Sequence, residues 1–233
     1  MGITKSIGAM LVFTSISLFN IAQATTKLLS EPALSNKQIA FVYSGDIWLA
    51  NTDGSSPHRV TSSSADESVP HFSPDGKWLA YSANHDNNQD VYIVASAGGQ
   101  PKRLTWHPGN DVVNGWSSDG KRILFTSRRE MKIGRSAQAW EISLTGGLPT
   151  KIMDAVVQAA DWSKDGKTLA YQPYNTAHRG ASGWRNHRGG STPPIWIMKP
   201  GGKSYQEIPH VRASDTNPMW VPQYRFRLIW MSL

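Results

Sequence analysis

The sequence predicts an all-β protein: a β-propeller with about four four-stranded blades plus the start of a fifth, in an incomplete ring. Only 18% of its 233 residues are charged, while ten are Trp and 20 are Gly, a composition that favours strands and turns over helices. One motif also occurs three times: an aromatic residue, Ser, and a D-G-K turn. Its aromatic residues, Phe72, Trp116 and Trp162, are 44 and 46 residues apart. A period in the low forties with several short strands is typical of propeller blades.

Each copy of the motif predicts a tight hairpin. The three copies are "HFSPDGKWLAYSA", "GWSSDGKRILFTS" and "DWSKDGKTLAYQP". Gly accepts a positive φ without steric penalty, and Asp can bond to nearby backbone amides. We therefore expect the same turn in each blade, near the hub, formed by Asp75-Gly76, Asp119-Gly120 and Asp165-Gly166.

The second blade shows the strand pattern most clearly. Its predicted strands are 68–73, 77–83, 90–96 and 101–105. Trp78 and Ala80 fall on one face of the second strand, and Leu79 falls on the other. Two apolar faces are what a blade needs when it lies between two neighbours.

The other blades follow this pattern with changes. Residues 34–61 predict a shortened first blade, and the third blade keeps its D-G turn and a later Gly pair. The fourth blade carries an insertion at 174–194, which a loop projecting from the blade would accommodate. The first strand of a fifth blade contains Trp220 as its aromatic residue, but no D-G-K turn follows.

Three segments are predicted. Residues 1–24 have the outline of a signal peptide, with Lys5, an apolar core and expected cleavage after Ala24, so we expect export to the periplasm. The alternative, a transmembrane anchor, needs ~20 apolar residues, and this run is shorter. Residues 25–221 are predicted to form the partial propeller, and 222–233 an aberrant tail of a truncated or frameshifted chain. A closed four-bladed ring with a swapped tail is the alternative.

No residue pattern predicts catalysis, a metal or a cofactor. Ser182 lacks the G-x-S-x-G elbow of a nucleophile. There is no Cys and no H-x-x-x-H spacing for zinc. Residues 86–90 match the first ligands of a calcium loop but lack its Gly and its Glu, so they are interpreted as a polar hairpin tip.

Isolated polar residues receive structural interpretations. His71 and His107 could face the hub, but a surface or hydrogen-bonded histidine is the simpler interpretation. Asp46 and Asp90 precede the third strand in two blades, which favours a role in turns. The net charge of +7 is spread along the chain without a basic helix or stripe, so no nucleic-acid partner is expected.

One basic cluster supports a sharper hypothesis. It lies in the insertion of the fourth blade and comprises Arg179, Trp184, Arg185, His187 and Arg188. Arg side chains could hold peptide carboxylates through paired hydrogen bonds, and the indole could pack on a peptide side chain. The alternative is an ordinary exposed loop.

With these residues set out, the chain resembles the N-terminal propeller region of tricorn-type proteases. The similar segments are 28–54, 67–109, 113–130, 184–198 and 214–221. The repeats alone are shared with TolB-like and prolyl-oligopeptidase propellers, whereas the opening blade and the R-G-G segment are more specific.

The resemblance implies a serine peptidase with further domains, but no family catalytic residue has a position in this chain. We expect a non-catalytic propeller fragment that acts in peptide access or scaffolding for proteolysis. Its partners would be peptides or the missing protease domains, with no membrane contact after signal cleavage and with homo-oligomers possible. The alternative is an independent periplasmic TolB-like propeller that binds protein partners.

Overall fold

The fold is built only from β-strands in the part of the chain that the structure describes. This computed structural model describes residues 29–131, 136–173, 194–199, 205–209 and 217–220. Sixteen strands form four antiparallel sheets of four, and each sheet follows the order of the sequence. Each sheet is one blade, as the repeat predicts.

The first blade is complete rather than shortened. Its strands are β1 (Leu29–Leu34), β2 (Gln38–Tyr43), β3 (Asp46–Asn51) and β4 (His58–Arg59). The prediction of a start at residue 34 was wrong because the strand that ends there is extended and pairs with β2. The turn between the two strands closes with a 2.9 Å bond from the Ser35 amide to the Gln38 carbonyl oxygen.

The remaining blades repeat this arrangement. The second contains β5 (Asp66–Phe72), β6 (Trp78–His85), β7 (Asn88–Ala95) and β8 (Lys102–Arg103). The third contains β9 (Asp111–Trp116), β10 (Arg122–Ser127), β11 (Gln138–Ser143) and β12 (Thr150–Lys151). The fourth contains β13 (Ala159–Trp162), β14 (Leu169–Gln172), β15 (Trp196–Met198) and β16 (Tyr205–Glu207).

The blades stack through their faces around a shared set of inner strands. The first strand of each blade contacts the first strand of the next, from β1 to β5, β9 and β13. An apolar cluster fills each of the three spaces between successive blades. Leu79 and Tyr81 pack toward the first blade, and Ala80 packs toward the third, so alternation along one strand serves two interfaces.

The first blade has an incompletely covered outer face. In each blade, the side chain four positions after the Lys of the turn between the first and second strands faces the preceding blade. In the second and third blades these side chains are Tyr81 and Phe125, which are 1% and 0% exposed. The corresponding residue of the first blade, Phe41, is only half-buried. Leu34 beside it is 71% exposed. The ring is thus not closed.

The repeated turn is one hydrogen-bonded unit in three blades. In the third blade the Ser117 hydroxyl donates to Asp119 Oδ1 at 2.6 Å and accepts from the Arg122 amide at 2.9 Å. The same carboxylate accepts from the Lys121 amide at 3.0 Å, and Gly120 has φ +68°. The turns that begin at Ser73 and Ser163 repeat these bonds within about 0.1 Å.

A second repeated unit fastens the outer strand of the first two blades. Asp90 is buried and ion-paired with Arg103 at 2.5 Å, and it accepts a 2.9 Å bond from the Thr105 hydroxyl. Asp46 is paired with Arg59 at 2.9 Å in the same way. The two carboxylates are structural, but the predicted turn role was incomplete because each joins the third strand to the outermost strand.

Candidate functional site: an axial pocket

A pocket of about 250 Å³ opens where the inner strands of the second, third and fourth blades end. We call it the axial pocket. Its walls include the repeated aromatic residues Phe72, Trp116 and Trp162, together with Trp220. The residue directly before each D-G-K turn also lines it, so the repeat that builds the blades contributes to the pocket as well.

The aromatic walls are fixed by hydrogen bonds between neighbouring blades. The Trp116 indole N–H donates to the His71 carbonyl oxygen at 2.9 Å. Trp220 repeats this bond two blades further along, because its indole N–H donates to the Asp161 carbonyl oxygen at 3.1 Å. Trp220 therefore lies where the last residue of a fifth inner strand would be, as Trp116 and Trp162 do in their blades. Trp162 differs, since its indole donates to Glu141 Oε1 at 2.8 Å.

Asp161 is the only acidic residue of the pocket among the described lining residues. Its Oδ2 accepts a 2.7 Å bond from the Trp220 amide. Its Oδ1 faces Gly115. A Cβ atom at this glycine would lie 3.7 Å from that oxygen. Burial raises the pKa of Asp161 to about 6, although the Trp220 and Trp162 amides oppose the shift. The carboxylate is thus mostly ionised at pH 7.

Two basic residues share the pocket. Burial lowers the pKa of His71 to about 4, so its imidazole is neutral at pH 7. The sequence left open that His71 faces the hub, and the residue lines this pocket near the end of its inner strand. Lys164 lies on the rim and is exposed. The pocket therefore combines an aromatic wall, one inner carboxylate and one outer ammonium.

A second groove, of about 500 Å³, lies between the third and fourth blades. Tyr171, Trp196 and Tyr205 line it, and the two tyrosine rings meet edge to face at 6.3 Å. Burial raises the pKa of Tyr171 to about 12. This groove is mostly apolar, and it offers fewer oriented polar groups than the axial pocket.

The predicted site residues fall into two groups. The peptide-binding cluster, Arg179 to Arg188 with Trp184, lies outside the described residues, as does Ser182. The turn residues are not among the lining residues of the axial pocket but follow them by one or two positions along the chain. In each turn the Asp accepts from its Ser, and the Gly has a positive φ between 67° and 72°.

Other candidate ligands have structural contacts. The hairpin tip is narrower than predicted, because only Asp86 and Asn87 form the turn and the next residues enter β7. His107 Nδ1 accepts from the Gly109 amide at 2.9 Å. Among the described ranges, no group of three acidic or histidine side chains is placed to hold a metal ion. No helix in those ranges has the length and apolar character needed to cross a membrane.

The sequence contained a signal for the pocket that was not used. His71, Gly115 and Asp161 each precede the repeated aromatic residue, so they lie in register on adjacent inner strands. Their side chains differ from one copy of the repeat to the next, and they line one cavity. The repeated aromatic residue maintains the fold, so the residue before it can differ between blades and form a binding site.

The stacked four-stranded sheets and their inner strands define the class of protein: a β-propeller. Residues 26–232 match the family described as the tricorn protease N-terminal beta propeller domain, and the chain belongs to that family. The matched range includes most of the segment 222–233, which the sequence alone marked as an aberrant tail.

Solved structures share the fold. The tricorn protease superposes with a TM-score of 0.68 and 20% identity over 83% of this chain and 19% of that chain. A TolB structure from Agrobacterium tumefaciens gives a TM-score of 0.66 and 21% identity over 82% of this chain and 65% of that chain. The Tol-Pal system protein TolB of Desulfosudis oleivorans is 32% identical over 74 residues, which are 30% of this chain and 17% of that protein. The chain thus spans less than two thirds of each.

Proposed function

We propose that the chain is the non-catalytic propeller part of an exported, tricorn-like serine peptidase, and that it receives peptides for proteolysis. The axial pocket is the observation that carries this proposal. It lies at the hub, its walls are aromatic, and its only described carboxylate is held by backbone amides. Such a concave site with a few oriented polar groups suits a flexible ligand such as a peptide.

Membership in the tricorn propeller family supports the peptidase context. Catalysis would then depend on further domains, which would be partners of this propeller. Purified residues 25–233 should hydrolyse no peptide, and peptides should bind with measurable heat in a calorimetric titration. Alanine-based pentapeptides with varied central residues are suitable probes. Absence of binding to all of them would contradict the proposal.

The cluster in the insertion gives a second site to test. In the same titrations, an Arg185→Ala, Arg188→Ala double variant is compared with the parent chain. Weaker binding would place part of the peptide on the insertion, as the sequence predicts. Unchanged affinity would remove the cluster from the proposal and leave the axial pocket as the peptide site.

Export is part of the proposal, because the first 24 residues have the pattern of a signal peptide. Fractionation of cells that express the full chain should recover it from the periplasm. Amino-terminal sequencing of that product should begin at Thr25. A cytoplasmic product that retains Met1 would contradict export.

An independent TolB-like propeller that binds protein partners is the second candidate. The 32% identity to a TolB over 74 residues favours it. Reading the DNA beyond the codon for Leu233 in all three frames separates the two functions. Further blades and a protease core support the peptidase, whereas an intact stop with unrelated sequence downstream favours the TolB-like protein.

A further inference from the structure

We propose that the axial pocket binds a primary ammonium group, and that Asp161 is its counter-ion. This inference deepens the proposed function and rests on it, because the ammonium would be that of a peptide. A peptide carries this group at its amino terminus or on a lysine side chain. The pocket is the shared binding site for both sources.

The charges in the pocket select a cation. Asp161 is the one acidic residue among the described lining residues, and no described cation forms an ion pair with it. Two backbone amides orient the carboxylate but bring no full charge. Burial disfavours an isolated carboxylate, so a ligand cation would stabilise it.

The space next to the carboxylate suits a small cation. Gly115 lies opposite Asp161 Oδ1 and has no side chain, whereas any other residue at this position would place its Cβ in contact with that oxygen. An ammonium has three donors and fits a compact site of this kind.

The walls add a second attraction. Trp116, Trp162 and Trp220 all line the pocket. Indole faces attract cations more strongly than other aromatic rings do. His71 is neutral at pH 7 and does not repel an ammonium. The exposed Lys164 on the rim is the one opposing charge among the described lining residues, and it can turn into solvent.

The test compares ligands that differ only in this group. Penta-alanine with a free amino terminus, its N-acetyl form, and an N-acetyl form with a central lysine are titrated into the full chain, all as carboxyl-terminal amides. We expect acetylation to weaken binding at least about tenfold, as for loss of a charge-assisted hydrogen bond. Recovery by the lysine peptide would show that the side chain is an equivalent source. Equal affinity of all three would overturn the inference.

n-Butylammonium separates this inference from the proposed function, because it needs no peptide recognition. We expect it to shift the Trp116 indole N–H resonance, whereas the neutral n-pentanol at equal concentration does not. If butylammonium binds and no peptide does, the proposed function fails and the ammonium site stands. If peptides bind without dependence on an ammonium, only the inference fails.

Variants locate the site. Asp161→Asn keeps the shape of the side chain and should remove the difference between free and acetylated peptides. If that variant does not fold, Lys164→Glu decides, since this position is exposed. It should tighten ammonium binding about twofold or more, whereas the matched Lys167→Glu, on the same turn but outside the pocket, should not. If both variants changed ammonium binding equally, the effect would be one of net charge and not of the pocket, and the inference would be overturned.

Discussion

Ser117, Asp119 and Gly120 show how three residues specify one turn. Glycine provides the positive φ, and the serine hydroxyl both donates to the carboxylate and accepts from the Arg122 amide. The Ser117 hydroxyl bond lowers the pKa of Asp119 below its usual range, and the Lys121 amide adds to this. The aspartate is thus held in its charged form while it remains exposed.

Removal of this hydroxyl tests the unit. Ser117→Ala should lower the free energy of unfolding by about 1 kcal/mol, because the buried hydroxyl serves as both donor and acceptor. Urea denaturation of the purified chain measures it. The adjacent Ser118→Ala is the matched control, since Ser118 is exposed and no bond of its hydroxyl is part of the turn. Equal losses in both variants would contradict the role of the hydroxyl.

The axial pocket predicts two opposite contributions to the pH dependence of stability. Asp161 has a raised folded pKa of about 6, so the folded state takes up its proton first and stability increases as pH falls from 6 toward 4. His71 has a depressed folded pKa of about 4, so the unfolded state takes up its proton first and stability is lost over a similar range.

Difference measurements separate the two groups. For each variant, the free energy of unfolding of the variant is subtracted from that of the parent chain. As pH falls from 7 to 4.5, this difference should rise for Asp161→Asn and fall for His71→Gln. Urea titrations at half-unit pH steps give both curves. The same sign of slope for both variants would contradict the burial of one of the two groups.

At the scale of the element, indole side chains join one inner strand to the next. Trp116 and Trp220 donate to carbonyl oxygens of the preceding inner strand, at 2.9 and 3.1 Å. Both bonds use a backbone acceptor, so they hold neighbouring strands in a fixed register whatever side chain the acceptor residue carries. The two bonds thus help to fix the order of the blades.

Loss of these donors should weaken the stack. Trp116→Phe and Trp220→Phe should each lower the free energy of unfolding by about 1 kcal/mol, because each leaves a carbonyl oxygen without its donor. Trp106→Phe is the control, since this indole is 66% exposed. Thermal or urea unfolding measures all three. A loss at Trp116 without one at Trp220 would contradict the placement of Trp220 at the end of a fifth inner strand.

The sequence predicted the elements that depend on local chemistry. The D-G-K turns follow from glycine conformation, and the alternation of Leu79 and Ala80 follows from strand geometry. Strand β6 begins directly after such a turn and packs these two residues on opposite faces. Strand β1 was missed because it has no turn motif of its own and is stabilised by pairing with β2.

The candidate site was harder to predict because it depends on contacts between distant residues. The pairing of Asp90 with Arg103 spans 13 residues, and the contact of Trp220 with Asp161 spans 59. The repeated Arg-x-Thr at Arg59 and Arg103 was a usable signal for the first contact. Nothing local to Asp161 indicates that an amide of a later segment reaches its carboxylate.

At the scale of the whole molecule, three filled spaces between four blades account for the core. Each space is filled by apolar side chains from the facing surfaces of two successive blades. The first blade keeps a face that has no such neighbour among the described residues, and Phe41 and Leu34 lie on this side. An open apolar face is a site for association, which agrees with the proposal of further blades or domains as partners.

A comparison of two equivalent aromatic residues tests this open row of blades most directly. Phe125 is fully buried between two blades, so Phe125→Ala should lower the free energy of unfolding by about 3–5 kcal/mol. Phe41 occupies the same position in the first blade but is only half-buried, so Phe41→Ala should cost less than half as much. Urea denaturation of both variants at a concentration where the chain is monomeric gives the two values. Equal losses would show that the face of the first blade is covered, and would contradict the open arrangement.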